Sequence, residues 1–253
     1  MFYIDSYFYD RYSDMVYSTL AHEFQHMINM AVKEFTYNQV PSTWYNEMLS
    51  MLSEDMMQDK LNISDSMSPK ERFQEFNYGY PISGVTDWLS GNYVLYSYAG
   101  AYAFGAYLVR NYGGITLLKN IASNSYVDAA SITAALQSLY PGETYTTAFR
   151  KFGQVLVYTN PPAGSSVKTL YNTVSGTVNS VTYTFSAIDI WGITQIISGT
   201  SGPLTFDITG QMALRPWGLG LFDSDSWNSL PDSITVTINK PTSSSVEMYL
   251  MIR

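Results

Sequence analysis

The sequence predicts a multidomain α and β protein: a mainly helical domain over residues 1–160, then an antiparallel β-sandwich over residues 161–253. Three observations predict it. Residues 12–157 hold capped segments whose apolar positions recur with helical period. Residues 165–253 hold short runs that alternate apolar and polar side chains between turns, as half-buried strands do. Between the halves, Asn160-Pro161-Pro162-Ala163-Gly164-Ser165-Ser166 interrupts regular structure.

In chain order, Phe2 to Tyr9 is strand-like. Ser13 or Asp14 can cap a helix running through His26 to about Val32, with Met15, Leu20, Phe24, Met27, Ile28 and Met30 as its apolar faces. Pro41-Ser42-Thr43 opens a second helix, capped by Ser42 and reaching about Gln58. Met67–Tyr80 reads as a short helix and loop. An apolar helix covers roughly Ser97–Tyr112 and stops at Gly113-Gly114. Further helices are expected near Thr116–Ala122, Asp128–Leu139 and Thr146–Val157. In the second half, Val181–Phe185 and Ile234–Ile238 alternate as strands, Met248–Ile252 closes the sheet, and Asn239–Ser245 suits a hairpin loop.

Composition narrows the function. Hydrophobic residues make up 46% of 253, enough for a substantial core. The net charge of −8 comes with no basic cluster, which speaks against nucleic acid because phosphate contacts need a basic footprint. No apolar run is long enough for a transmembrane segment. The absence of cysteine excludes disulfides and thiolate metal sites. A weakly charged, Tyr/Ser/Thr-rich chain without cysteine fits an extracytoplasmic or secreted bacterial protein. The opening residues carry no signal segment, and the chain reads as part of a longer protein.

The two histidines of the chain lie four apart in His22-Glu23-Phe24-Gln25-His26, an H-E-x-x-H motif. On a helix the two imidazoles share one face and can hold one metal ion, while the carboxylate beside the first can activate a water. The plain alternative is a pair of hydrogen-bonded histidines on a packed helix. Catalytic zinc takes three protein ligands and keeps one position open. With no other His and no Cys, the third ligand must be Asp or Glu, and Glu47 lies 21 residues after His26. That gap suits a helix, a turn and an antiparallel return; a surface carboxylate is the alternative. Glu54, seven residues beyond Glu47, either orients a histidine or sits with Asp55 at a solvated acidic helix end.

His22-Glu23-Phe24-Gln25-His26 followed by Trp44-Tyr45-Asn46-Glu47 and Ser50 resembles the gluzincins, zinc peptidases with a glutamate as third ligand. The wording His-Glu-Phe-Gln-His-Met-Ile-Asn is most similar to the hyicolysin family of bacterial neutral metallopeptidases. The resemblance covers about residues 3–115. It implies a zinc-dependent peptidase acting on protein or peptide substrates, with His22, His26 and Glu47 as ligands to one Zn2+ and Glu23 as general base. Two departures stand out: Met51 replaces the aspartate that thermolysin-like enzymes place after the serine, and no third histidine serves the oxyanion. The aminopeptidase branch uses a tyrosine there, and Tyr98-Ala99-Gly100-Ala101-Tyr102 through Tyr107-Leu108 resembles its pattern. The resemblance therefore implies Tyr98 as transition-state donor, with Tyr93 or Tyr102 as neighbours, against the alternative of ordinary packed tyrosines among 22. The branch's amine-holding G-x-M-E-N stretch would fall at or before Met1. The wording near the histidines favours an endopeptidase over an aminopeptidase; a binding or adhesion module with a vestigial metal site is the reading from another class.

Three further signals are weaker. Arg110 reads as a surface or helix-end charge. Asp223-Ser224-Asp225-Ser226-Trp227-Asn228 is similar to an oxygen-rich calcium loop but lacks its glycine and closing glutamate, so a solvated turn is the first reading. Trp191, Trp217 and Trp227 are candidates for a sugar- or protein-binding face, core packing being the commoner role. The partner of the β-domain is not encoded in any motif.

Overall fold

The computed structural model describes residues 4–160, 165–207 and 212–223, with 235, 237, 239, 242, 246 and 247. Helices dominate: α1 (Ser6–Arg11), α2 (Ser13–Asn29), α3 (Thr43–Leu61), α4 (Phe73–Gly79), α5 (Val94–Asn111), α6 (Gly114–Ser123), α7 (Asp128–Leu139) and α8 (Tyr145–Phe152). None of the described helices is long and apolar enough to cross a membrane. The expected strand at Phe2–Tyr9 is instead α1 from Ser6 onward. Asp5 caps it by accepting the Tyr7 N–H, and the Arg11 guanidinium lies 3.8 Å from the Tyr7 ring centre one turn back.

α2 turns the opposite way from the sequence expectation. Phe24, Met27, Ile28 and Met30 are exposed, while Ser18, Gln25 and Asn29 are buried. These positions form a polar stripe at helical spacing that faces α3. The chain continues through a π-helical turn at Met30–Thr36 rather than ending near Val32. There Lys33 is fully buried, its ammonium donating to the carbonyls of Ile121 at 2.8 Å and Asn124 at 2.7 Å. Burial pulls its pKa down to about 8.

α3 starts where Ser42 predicts, but the serine's hydroxyl and N–H both bond to the Asp128 carboxylate, at 2.7 and 2.9 Å. That anchors the α3 N-terminus to the start of α7 and places a negative charge at the positive end of α3. Tyr45 ties the same helix to its neighbours through Ser131 at 2.8 Å and the Ile121 carbonyl at 3.2 Å. α5 packs closely on α3 at Gly105, where a Cβ would stand 2.7 Å from Met48 Cγ. The absence of a side chain at Gly105 thus allows the close approach of the two helices.

Val181–Phe185 is the strand β2, paired antiparallel with β1 (Val174–Val178) in the register Val174↔Phe185 to Val178↔Val181. Asn179 and Ser180, both at positive φ (49° and 64°), form the two-residue turn that matches the twist of a hairpin. β3 (Phe206–Asp207) and β4 (Phe222–Asp223) are a short parallel pair. The expected β-sandwich is not present among the described residues. A two-stranded ribbon cannot bury a face against itself. Its outward side carries hydroxyl pairs, Ser175 with Thr184 and Thr177 with Thr182, while its inward side packs on α6 and α3. Leu170, Phe185, Ile188 and Ile190, from beyond the Asn160–Ser166 join, share the hydrophobic core with the helices. Most of the expected strand at Ile234–Ile238, the strand at Met248–Ile252, most of the Asn239–Ser245 loop, and the Asp223–Asn228 loop past Asp223 lie outside the described residues.

Arg110 is not a surface charge. It is buried with Asp55, donating Nη1 and Nη2 to its two carboxylate oxygens at 2.8 and 3.2 Å, and Nε to the Ser186 carbonyl at 2.9 Å. Asp55 is likewise no solvated helix end. Arg110→Leu leaves that carboxylate buried and uncompensated, which costs about 3–5 kcal/mol. Urea unfolding followed by circular dichroism should show the midpoint falling accordingly.

Candidate metal centre

α2 and α3 run antiparallel, and the contacts between them step along both helices in opposite directions. Asn29 Nδ2 donates to Asn46 Oδ1 at 2.7 Å. One turn earlier on α2, His26 meets Ser50 and Glu47; one turn earlier again, His22 meets Glu47 and Glu54. Ser18 closes the row by donating to Glu54 Oε2 at 2.6 Å.

The centre of this row is a convergence of three ligand-type atoms. Glu47 Oε2 lies 3.1 Å from His22 Nε2 and 3.6 Å from His26 Nε2. A tetrahedral zinc with ligands at about 2.0–2.2 Å holds its ligand atoms about 3.4 Å apart, so the two distances bracket the required spacing. The two imidazole rings are 4.8 Å apart, nearly edge to face. Glu23 is exposed, and it, His22 and His26 each offer a ligand-type atom within 4.8 Å of the others.

The far nitrogens are engaged. His22 Nδ1 is 2.7 Å from Glu54 Oε1, and His26 Nδ1 is 3.1 Å from Ser50 Oγ. With each Nδ1 donating, both Nε2 atoms would serve as electron-pair donors to a metal ion that displaces the proton His22 otherwise shares with Glu47, the arrangement that orients metal-binding imidazoles. Burial alone would lower the His22 pKa, but hydrogen bonds to Glu47 and Glu54 and their charges lift it to about 9. Three carboxylates around two imidazoles form a field that favours a divalent cation.

Tyr98 stands next to this group. Burial raises its pKa, and the neighbouring Glu47 carboxylate raises it further, with a smaller contribution from Glu23 and opposition from Arg72. Its hydroxyl therefore keeps its proton at neutral pH. The ring packs edge-on against Trp88 at 4.8 Å, and the Arg72 guanidinium lies 5.4 Å from the ring centre. Tyr93 and Tyr102 are placed differently from Tyr98. Tyr93 is exposed and pairs with Tyr96. Tyr102 is fully buried and donates to Asp55 at 3.0 Å, joining the Arg110 network behind Glu54.

Three contributors escaped the sequence reading, while Ser50 was quoted in the motif without a role. Ser18 had a usable signal, since it lies one helical turn from His22 on the same face. Arg72 and Trp88 had none: they come from a 3₁₀ turn and a loop with no motif, and only the fold brings them to Tyr98.

No protein-family model matches the chain, and no curated protein matches it.

Glu54 orients His22 without touching the convergence point itself. For a divalent ion bound at this candidate centre, Glu54→Ala should weaken affinity about 10–100-fold, the range for lost partners of metal-bound histidines. Competition with a chromogenic chelator measures this, with Glu47→Ala expected to lose more.

Proposed function

We propose that the chain is a zinc-dependent peptidase of the gluzincin type, most like the hyicolysin family, and that it cleaves within polypeptides. The observation that carries this reading is Glu47 Oε2 at 3.1 Å from His22 Nε2 and 3.6 Å from His26 Nε2, spacings that suit ligands shared by one tetrahedral ion. A divalent ion bound there supplies Lewis acidity, polarising a carbonyl and acidifying a water.

The chain's own groups divide the remaining work. Glu23, exposed beside His22, takes a proton from the attacking water and delivers it to the departing amine. Tyr98, protonated at neutral pH, donates a hydrogen bond to the oxyanion as charge develops there. Trp88 and Arg72 fix the Tyr98 ring from two sides. Glu54 and Ser50 hold the imidazoles in their orientations. Tyr102 belongs to the supporting core rather than to the reacting groups. The low charge and absent cysteines support action outside the bacterial cytoplasm.

Casein hydrolysis by the zinc-loaded protein tests the reading. Glu23→Gln should lower kcat about 10²–10⁴-fold while zinc stoichiometry stays at one. Tyr98→Phe should lower kcat about 10²–10³-fold with little change in KM. A zinc-loaded wild-type chain that leaves casein and a peptide library uncut would overturn the proposal.

A further inference from the structure

On another part of the molecule, α7, the start of α8 and the segment around Trp217 form an open pocket of about 440 Å³. Small-molecule sites run from about 300 to 1,000 Å³. Alanines of α7 give it a smooth floor, and no lining residue is charged. Two large rings reach solvent at its edge, Trp217 at 38% and Tyr126 at 55% exposure.

Trp217 is held there against its backbone preference. Its φ is +55°, a left-handed conformation that bulky residues rarely adopt and that persists only where surroundings enforce it. The enforcement is visible. The Trp217 carbonyl accepts the Val85 N–H at 3.0 Å, and the indole packs edge-on against Tyr145 at 4.8 Å and Phe149 at 5.0 Å.

The walls also carry polar capacity without charge. Thr133 Oγ1 accepts the Tyr145 N–H at 3.0 Å, which leaves the threonine's own proton to give. No hydrogen bond engages the Gln137 amide or the Thr146 hydroxyl among the described residues. The Tyr145 hydroxyl is buried beyond the reach of a ligand there, so the polar capacity rests on Thr133, Gln137 and Thr146.

We propose that this pocket binds one pyranose ring of a neutral saccharide. A pyranose offers a flat C–H face to an indole or phenol ring and a rim of hydroxyls to threonine and glutamine, which matches amphipathic aromatic walls with uncharged polar groups. A hydrocarbon would give no partner to the Thr133 and Gln137 groups it covers, and an ionic ligand would meet no opposite charge. The proposal stands apart from the metal centre and does not depend on it.

The test titrates the intact chain with cellobiose, maltose, lactose and N,N′-diacetylchitobiose, read by saturation-transfer NMR on the sugar and by tryptophan fluorescence. At least one disaccharide should saturate, and Trp217→Ala should abolish the signal. Ala130 is exposed on the pocket floor, so Ala130→Trp fills the space without entering the core and should also abolish it, while Ala130→Ser retains it. Failure of all four sugars to saturate at millimolar concentration overturns the proposal. So does saccharide binding that survives Ala130→Trp. Saturable binding of neutral casein peptides, blocked by Ala130→Trp in the absence of sugar binding, reassigns the pocket to peptide.

Discussion

The polar seam between α2 and α3 is the contact on which the rest of the molecule is organised. Two helices in water ordinarily meet through apolar side chains. Here Ser18, His22, His26 and Asn29 of one meet Glu54, Glu47, Ser50 and Asn46 of the other, each pair within hydrogen-bond or ion-pair reach. Such an interface is specific because each group left unpaired in it would carry a desolvation penalty. It fixes the register of the two helices. A one-turn slip would separate every pair at once.

A seam of this kind needs support from elsewhere, and α3 receives it on its other faces. Gly105 lets α5 approach closely, Asp128 and Ser131 hold the N-terminal half, and Asp55 binds Arg110. Arg110 reaches on to Ser186, so the segment after the hairpin is tied to the helix that carries Glu47 and Glu54. Tyr102 completes this buried network directly behind Glu54. The second half of the chain thereby contributes to the stiffness of the first.

Much of this was legible in the sequence, and the remainder was hidden for physical reasons. α3 and α7 were readable from caps and period, and β2 from strict alternation. The histidine pair followed from helical spacing alone, while spacing left Glu54 open between reaching a histidine and facing solvent. The orientation of α2 did not, because hydropathy assigns apolar residues to the interior and cannot foresee a partner helix that offers carboxylates instead. Arg110 and Asp55 were misplaced for a similar reason: a charge is read as solvated unless its counter-charge is seen, and that lay 55 residues away. The β-sandwich was inferred from alternation, which marks a strand with one wet face but is silent on whether the dry face meets a sheet or a helix. α1 was misread because a short aromatic run favours a strand until Asp5 and Arg11 are recognised as helix-stabilising.

The outward pair Phe24 and Ile28 has a practical consequence. Both lie on the side of α2 away from its inward row, although they alternate with it along the chain. Met27 and Met30 differ, because each stands one helical turn from a reacting group, Met27 from Glu23 and Met30 from His26. Polar replacements at Phe24 and Ile28 can improve solubility while leaving the inner row untouched, which makes these two positions a natural place to engineer handling properties without altering reactivity.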